Sequence, residues 1–320
     1  MRRNGSRWGA AFLALLIAAS ARAEEPLAIE SLVSHKTRLM VFAPHPDDES
    51  LGAGGLIQRV LRSGGKVKVV FMTSGDGYPE GVELEDRISH PSAKDYRAYG
   101  EERRKEALKA LAILGVKERD GVFLGFPDGG LCYLLWKFRS DPRVYTSPFT
   151  LENHPPAVEM IVPHTDYNGH DLKKEIMRVL ADFRPDLLAT TPPEDQHPDH
   201  CATYHFVRES VIALEKRDPT IKPKVLTYLI HFGQWPVGQG SGTGSRLNPP
   251  EGFPGGVADW ISFPLQSRET ETKRMAILRY HTQMLVMGRF LLSFARANEL
   301  YAMDHQGLPE QMERKPCCWK

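Results

Sequence analysis

The 320-residue chain carries 41 lysines and arginines against 40 aspartates and glutamates, and 41% of its residues are hydrophobic. Neither sign of charge is concentrated in a long block, which excludes a nucleic-acid binder that works through bulk electrostatics. The hydrophobic fraction is sufficient for a substantial core. We expect one domain, because single α/β domains reach this length.

The first 23 residues have the features of a cleavable secretory signal. Arg2, Arg3 and Arg7 precede the apolar run WGAAFLALLIAA, and Ala21 and Ala23 then supply small residues before an acidic pair. An uncleaved anchor is the alternative, but the run is well short of the ~20 residues that a bilayer span needs. We therefore expect cleavage after Ala23, export to the periplasm or the medium, and a mature domain over 24–320 without a membrane span.

Export makes disulfides chemically possible. The four cysteines are Cys132, Cys201 and the adjacent pair Cys317 and Cys318, which allow three pairings that the sequence leaves open. For Cys132 and Cys201 the pattern favours small buried residues.

Short apolar runs alternate with helix-periodic segments over the first two thirds of the chain. In order they predict a strand at 37–44, a helix at 50–65, a strand at 66–75, a helix at 96–115, a strand at 120–126, a helix at 171–183 and a strand at 185–191. This alternation implies right-handed crossovers and a mainly parallel sheet. The predicted fold is α/β, a Rossmann-like three-layer sandwich with helices on both faces of the sheet.

The remaining segments are less regular. Runs at 224–232 and 258–265 predict late strands, and a C-terminal helical region is expected from about 267 to about 300, with a break near Gly288. The insert at about 131–170 is rich in aromatic residues and prolines and is too long for an ordinary connection. It fits a lid or substrate rim, and it fits an extra structural insert equally well.

Two short motifs carry the chemistry, and each follows a predicted strand where a helix begins. His45 and Asp48 lie three residues apart in PHPDDE, as do His197 and His200 in HPDH. On a first helical turn, positions i and i+3 project the same way. At the carboxyl edge of a parallel sheet the two motifs would meet where ligands usually bind.

Together the motifs offer imidazoles and carboxylates, a donor set that suits zinc with one position left to water. Such a site is catalytic rather than structural, because closed structural sites usually have four protein ligands rich in cysteine. Taken alone, each motif has another interpretation. DDE is also typical of a solvated loop or helix cap, and HPDH of a turn with Pro198 at a helix start.

PHPDDE followed by HPDH resembles the PIG-L/LmbE family of zinc-dependent N-acetylglucosaminyl de-N-acetylases. The similarity extends to TSGDG (73–77), RRKEALKALAILG (103–115), FLGFPDGGL (123–131), RPDLLATTPPEDQHPDH (184–200) and KRMAILRYHTQ (273–283). It covers most of residues 38–285.

The resemblance implies a role for each matching residue. His45, Asp48 and His200 would bind Zn²⁺ or another divalent transition metal, and Asp47 would be the general base. His197 would assist the tetrahedral intermediate and protonate the leaving amine as general acid.

Three further positions concern orientation and substrate. The resemblance implies that Asp199 orients His197, and we expect it to raise the pKa of that ring. Arg103 and Asp128 match positions that contact substrate hydroxyl or phosphate groups in sugar-processing relatives. One departure is Asp195, where the mycothiol branch has tyrosine, which argues against mycothiol-type substrate handling.

Some charged residues receive no assigned role. Glu49 is compatible with a contact to the helix dipole or to nearby backbone. The histidines without a spacing partner are interpreted as structural or surface residues; they are His90, His154, His164, His170, His205, His231, His281 and His305.

The favoured hypothesis is an exported zinc-dependent hydrolase that removes an N-acetyl group from an N-acetylglucosamine-type sugar or glycoconjugate. Its partner is then a small-molecule or glycan substrate, with no nucleic acid and an undetermined oligomeric state. A metal-dependent amidase or esterase acting on a non-sugar substrate is the first alternative. A non-catalytic carbohydrate-binding protein is the second.

Overall fold

The structure is a computed structural model that describes residues 28–140, 143–239, 242–253 and 260–304. The predicted signal at 1–23 and the pair Cys317 and Cys318 lie outside these ranges. No helix among the described residues combines the length and the apolar composition needed to cross a bilayer.

One sheet of seven strands organises the described chain. The strands are β1 (Arg38–Ala43), β2 (Lys66–Thr73), β3 (Gly121–Phe126), β4 (Leu187–Thr190), β5 (Lys224–Thr227), β6 (Trp260–Pro264) and β7 (Asn298–Met303). Their spatial order is β3-β2-β1-β4-β5-β7-β6. The first five strands are mutually parallel, β7 is antiparallel to β5, and β6 is antiparallel to β7.

Helices cover both faces of the sheet. They are α1 (Asp48–Arg62), α2 (Pro79–Asp86), α3 (Ala93–Leu114), α4 (Leu131–Trp136), α5 (Gly169–Phe183), α6 (Pro198–Arg217), α7 (Ser267–Ile277) and α8 (His281–Leu292). Side chains of α1, α3, α7 and α8 share one hydrophobic cluster, and those of α4, α5 and α6 share another.

Strand β1 shows why the sheet lies between these layers. Leu39 and Val41 belong to the first cluster, whereas Met40 and Phe42 belong to the second, and all four are fully buried. Side chains alternate between the faces of a strand, so an uninterrupted apolar run is what a strand buried on both sides requires. The three-layer α/β sandwich expected from the sequence is confirmed.

The C-terminal region differs from the sequence expectation. Instead of helix to about residue 300, the chain forms α7 and α8 with a break between Ile277 and His281, and it then returns to the sheet as β7. The break expected near Gly288 is only a kink at Met287, where φ is −129°. Strand β7 was missed because its sequence, NELYAM, includes polar residues that long-range contacts bury. Asn298 and Glu299 are each 1% exposed.

Two other segments also differ from the sequence expectation. The 224–232 run forms a strand only over Lys224–Thr227, and the polar loop after β2 contains the short helix α2. The 131–170 insert begins with α4 and is otherwise irregular until α5.

Cys132 and Cys201 lie in the second cluster, 1% and 2% exposed. Both are disulfide-bonded. The expectation that they are buried is confirmed, but the interpretation of them as unbonded small residues is wrong.

Candidate active site

The candidate site lies at the carboxyl ends of β1 and β4, which are neighbours at the centre of the sheet. The chain leaves β1 toward β2 on one side, whereas β4 and β5 continue on the other side. This change of direction is the topological switch point at which open α/β sheets bind ligands. It brings PHPDDE, before α1, next to HPDH, at the start of α6.

Three donor atoms from the two motifs form a small triangle. Nδ1 of His45 lies 3.3 Å from Oδ2 of Asp48, Nε2 of His200 lies 3.2 Å from the same oxygen, and the two ring nitrogens are 3.2 Å apart. All three side chains are buried. Residues separated by about 150 positions in the sequence therefore direct two nitrogens and one carboxylate oxygen at one point.

The triangle fits a tetrahedral metal. Zinc bonds of ~2.0–2.2 Å place tetrahedral ligand atoms ~3.3–3.6 Å apart, close to the three observed separations. Two other donor sets also come within 4.8 Å among the described residues, namely His45 with His197 and His200, and His45 with Asp128 and Asp199. We favour the triangle because its three donor atoms, two nitrogens and one carboxylate oxygen, all lie within 3.3 Å of one another.

Two carboxylates lie beside Nε2 of His45, the ring nitrogen that is not part of the triangle. Nε2 of His45 lies 3.1 Å from Oδ1 of Asp128 and 3.4 Å from Oδ2 of Asp199. Asp128 is fixed in turn by the backbone N–H of Gly77, at 2.8 Å. A proton on Nε2 leaves the Nδ1 lone pair directed at the triangle, the arrangement typical of a metal-binding histidine.

His200 is held in the same way by Asp195. Nδ1 of His200 lies 3.1 Å from Oδ2 of Asp195, which also accepts the backbone N–H groups of Ile230 and His231 at 3.0 Å. Oδ1 of Asp195 accepts the N–H of His197. Asp195 is fully buried, so its geometry is set by these contacts. The sequence alone had indicated no supporting role for Asp195, which was identified only as a departure from a family pattern.

These carboxylates also control the charge of the imidazoles. Burial opposes protonation, but Asp195 and Asp48 raise the pKa of His200 to about 9. Burial likewise opposes protonation of His45, and Asp128 with its neighbours raises the pKa of that ring well above its usual value. Although burial opposes ionisation, His200 and His45 hold the pKa of Asp48 well below its usual value. The pocket thus has strong negative potential where a cation would bind.

Asp47 lies beside the triangle in an unusual backbone conformation. Its φ is +128°, a region that favours glycine and costs a non-glycine residue about 1–3 kcal/mol. Nη2 of Arg103 donates to the carbonyl of Pro46 at 2.7 Å and lies 3.3 Å from Oδ2 of Asp47. The Asp47 N–H donates to Oε2 of Glu49 at 3.2 Å. Burial raises the pKa of Asp47 to about 8, and Arg103 acts in the opposite direction.

The structure supplies a role for Glu49, which had none. Its carboxylate accepts hydrogen bonds from the hydroxyls of Ser50 and Tyr280 as well as from the Asp47 amide. It therefore ties the loop after β1 to the start of α8 and holds the backbone that presents Asp47.

His197 is present in the pocket, but its contact with Asp199 differs from the expected one. Nδ1 of His197 accepts the backbone N–H of Asp199 at 3.2 Å. The Asp199 carboxylate instead accepts the N–H groups of Gly129 and Leu131, at 2.7 and 3.1 Å. Burial and the rings of His45 and His200 lower the pKa of His197 well below its usual value. The expected carboxylate contact and upward pKa shift are both wrong for this structure.

The site opens into a pocket of about 230 Å³. Its lining includes Arg103, Asp128 and His197, together with apolar side chains at Leu51, Ile230, Met287 and Phe290. Sequence reasoning did not place α8 here, because nothing in its spacing indicates which helix covers a distant loop.

His231 was interpreted as structural or surface, but it also lines this pocket. Its ring stacks on Phe290 with centroids 5.2 Å apart and lies 4.9 Å from the ring of His200. Burial and then His200 lower its pKa to about 4. Its position at the carboxyl end of the predicted strand 224–232 was the one signal that could have identified it.

Two similar structures share this fold. The 4-carboxy-2-hydroxymuconate hydratase GalB from Pseudomonas putida KT2440 aligns with a TM-score of 0.53 and 15% identity, over 86% of this chain and 99% of that one. The A40926 pseudoaglycone deacetylase Dbv21 aligns with a TM-score of 0.51 and 19% identity, over 84% and 97%. At such identities they establish the fold alone, and their names show that the fold hosts more than one reaction.

Similar sequences include a 1D-myo-inositol 2-acetamido-2-deoxy-alpha-D-glucopyranoside deacetylase from Nocardiopsis dassonvillei. It is 27% identical over 285 residues, which are 83% of this chain and 92% of the relative. A protein of the same name from Mycobacterium sp. (strain KMS) is 30% identical over 176 residues, and the alignment spans half of that relative.

The family model described as "PIG-L: GlcNAc-PI de-N-acetylase" matches residues 40–211. This match covers more than half of the chain and includes both motifs of the triangle. The chain therefore belongs to the PIG-L family.

Proposed function

We propose that the protein is an exported, metal-dependent N-deacetylase that releases acetate from an N-acetylglucosamine-type sugar or glycoconjugate. The observation that carries this proposal is the triangle of His45, Asp48 and His200 with the Asp47 carboxyl beside it. The names of the sequence relatives support an N-acetylated amino sugar as the substrate class.

We propose His45, Asp48 and His200 as ligands of Zn²⁺. Two imidazole nitrogens and one carboxylate oxygen with an open fourth position are typical of catalytic zinc sites, and other divalent transition metals accept the same donors. When bound, such a metal lowers the pKa of water and polarises a carbonyl oxygen. The buried Asp128 and Asp195 would keep each imidazole in the tautomer that binds metal.

Asp47 is proposed as the general base. It would accept one proton of the attacking water while the water oxygen adds to the acetamide carbon. Arg103 and Glu49 would hold the strained backbone. Asp48 can then bind the metal while the adjacent Asp47 accepts the proton of the water. Because Arg103 contacts this loop, we propose it as a positioning residue in addition to its expected contact with substrate.

His197 is proposed as a hydrogen-bond donor to the carbonyl oxygen, the first of the two roles that the resemblance implies. Because its Nδ1 accepts the Asp199 amide, a neutral ring carries its proton on Nε2. That proton can stabilise the negative charge that develops on the carbonyl oxygen as the water oxygen adds to the carbon. The proton that Asp47 has accepted can then move to the amine nitrogen, so that a neutral amine and acetic acid leave, and the acid loses its remaining proton to solvent as acetate.

His197 can have two separate roles, hydrogen-bond donation to the carbonyl oxygen and proton transfer to the leaving amine. Glutamine at position 197 can donate a hydrogen bond but cannot transfer a proton. If His197→Gln keeps much more turnover than His197→Ala, donation to the oxygen is the main role. Equal loss in both variants would instead assign to His197 the general-acid role that the sequence predicts.

Asp199 is proposed as a positioning residue for the same region. Its backbone holds His197, and its carboxylate holds the start of α4 through Gly129 and Leu131. Asp128 has a contact with His45 and also lines the pocket, so its expected contact with substrate and its support of the metal ligand are compatible.

A second candidate function is a metal-dependent amidase or esterase that acts on a non-sugar substrate. The apolar side of the pocket, formed by Leu51, Ile230, Met287 and Phe290, favours it because an acyl or aromatic group would bury surface there. Acetate release confined to non-sugar substrates would support this alternative.

Export is proposed from the N-terminal signal and is supported by the disulfide-bonded Cys132 and Cys201, since disulfides persist mainly outside the cytosol. N-terminal sequencing of the secreted or periplasmic protein should give Glu24 as the first residue. Retention of the full N-terminus in the exported form would contradict cleavage.

The experiment that tests the proposed reaction is an acetate-release screen of zinc-loaded mature protein. Substrates would be N-acetylated monosaccharides and oligosaccharides, cell-wall fragments, acylated amines and esters. We expect turnover with one or more N-acetylglucosamine derivatives and none after chelation. Sugar binding without any hydrolysis in metal-replete protein would support the non-catalytic alternative.

A further inference from the structure

A second cavity of about 300 Å³ lies on the other side of the loop that follows β2. Gly77 and Tyr78 of this loop line the candidate active site, whereas Ser74 and Asp76 line the second cavity. Helix α3 forms another wall, and residues 150–167 of the insert close it. The insert therefore contributes to this cavity, and none of its described residues lines the first pocket.

Two carboxylates in this cavity lack a hydrogen-bond partner for one oxygen. Glu159 is only 8% exposed, and its Oε2 is unpaired among the described residues. Its other oxygen lies 3.2 Å from Nε of Arg104. Oδ1 of Asp76 is likewise buried and unpaired in the described structure. Such groups usually cost about 1–3 kcal/mol each, so a native protein normally satisfies them.

The end of β3 is shaped to admit one of these carboxylates. Gly125 has φ +62°, and a β-carbon built there would lie 2.2 Å from Oε2 of Glu159. The hydroxyl of Tyr167, which also lines the cavity, donates to the carbonyl of Gly125 at 2.8 Å. A larger residue than glycine would therefore displace the Glu159 carboxylate from its position.

The charge of the lining favours a cation. Four acidic side chains line the cavity, namely Asp76, Glu101, Glu152 and Glu159, and Arg97 is the one arginine or lysine among the residues that line it. Arg97 is already engaged by Glu152 at 3.4 Å and by the carbonyl of Thr150. A lining with four carboxylates and one arginine has negative potential, which favours a ligand that brings positive charge.

The geometry separates an organic cation from a metal ion. Among the described residues, no group of three or more metal-binding side chains includes Asp76 or Glu159. A primary ammonium has three N–H donors and can satisfy two separate carboxylate oxygens without needing a coordination shell. The volume is at the lower end of the ~300–1,000 Å³ typical of small-molecule sites.

We propose that this cavity is a second binding site, for a small organic cation that carries a primary ammonium group and hydroxyls. The ammonium would donate to the unpaired Oε2 of Glu159, and hydroxyls of the ligand would contact Asp76, Ser74 and the rim. The site is distinct from the proposed reaction centre and does not depend on the proposed function. Burial raises the pKa of Glu159 to about 7 although Arg104 acts against the shift, and a bound ammonium would favour the ionised carboxylate.

The probe for this site is glucosamine, compared with glucose, by calorimetric titration of the mature protein at a pH where the amine is protonated. We expect glucosamine to bind and glucose, which lacks the ammonium, to bind at least tenfold more weakly. Glu159→Gln should weaken glucosamine binding at least tenfold. Glu118→Gln, a surface substitution beyond the end of α3, is the matched control and should leave it unchanged.

Glucosamine could also occupy the first pocket, so the two sites must be separated. His200→Ala removes a proposed metal ligand and should leave binding in the second cavity intact. A crystal soaked with glucosamine should show the amine nitrogen within hydrogen-bond distance of Glu159. Asp76→Asn repeats the test if Glu159→Gln fails to fold. Equal binding of glucose, unchanged binding in both variants, or density confined to the first pocket would overturn the proposal.

Discussion

Asp195 and His200 form a fully buried pair in which Oδ2 of the carboxylate lies 3.1 Å from Nδ1 of the ring. The same oxygen accepts two backbone N–H groups from the segment after β5. The pair therefore connects a proposed metal ligand to the strand beside it, and it leaves Nε2 of His200 free to face His45 and Asp48.

We expect Asp195→Asn to weaken zinc binding by about 10–100-fold, because the amide is a poorer acceptor for the Nδ1 proton and reduces the basicity of the ligand. Competition with a fluorescent zinc chelator measures this directly. Asp218→Asn, at the exposed end of α6, is the control. Unchanged zinc affinity in Asp195→Asn would mean that this pair does not support a metal ligand.

Asp47→Asn should lower turnover by about 10²–10⁴-fold and retain zinc, because the asparagine cannot accept the water's proton and the three ligand atoms remain. The neighbouring Asp48→Asn should instead lose zinc. Acetate release and metal content, measured on the same preparations, distinguish the two effects. Turnover in Asp47→Asn close to that of the wild type would exclude Asp47 as the base.

The protonation of Glu159 should be visible in the pH dependence of the free energy of unfolding. Its pKa is raised from 4.5 to about 7 in the folded state, chiefly by burial, with Arg104 acting against the shift. Between these values the folded state keeps a proton that the unfolded state has released. Wild-type stability therefore falls as pH rises through this window and is lowest, with respect to this group, above pH 7.

Glu159→Gln removes that dependence. We expect the free energy of unfolding of the wild type to fall relative to the variant by up to about 3 kcal/mol between about pH 5 and about pH 8. Urea unfolding at both pH values measures the difference, and contributions from the other carboxyls cancel in it. A difference that is constant with pH would show that Glu159 is ionised throughout.

A buried ion pair behind the site gives a prediction on stability alone. Nζ of Lys273 lies 2.7 Å from Oε1 of Glu299, and each side chain is 1% exposed. Glu299 also accepts the N–H groups of Gly55 and Leu56 in α1. Lys273→Met should destabilise the protein by about 3–5 kcal/mol, because it leaves the Glu299 charge uncompensated.

Denaturant unfolding measures this effect, and Arg178→Met provides a matched control because Arg178 pairs with Asp182 on the surface of α5. The surface pair should contribute at most about 1 kcal/mol. Equal effects of the two substitutions would contradict the role assigned to the buried pair.

The sequence alone determined the alternation of strands and helices and the position of the two motifs. Apolar runs such as LMVF in β1 are buried on both faces, and their period and length are local properties that a reader of the sequence can recognise. His45, Asp48, His197 and His200 were identifiable for the same reason. Each motif is short and stands at a predicted strand end.

Only the tertiary structure decided which groups support the motifs. Asp128 contacts the second ring nitrogen of His45, and Asp195 contacts that of His200. Arg103 and Glu49 hold the backbone around Asp47. None of these contacts follows from the spacing of the residues in the sequence. The tertiary structure also determined the second cavity beside Glu159, the approach of α8 to the pocket and the return of the chain to the sheet as β7. These features depend on distances between residues far apart in the sequence, and such distances are set by how layers pack rather than by local periodicity.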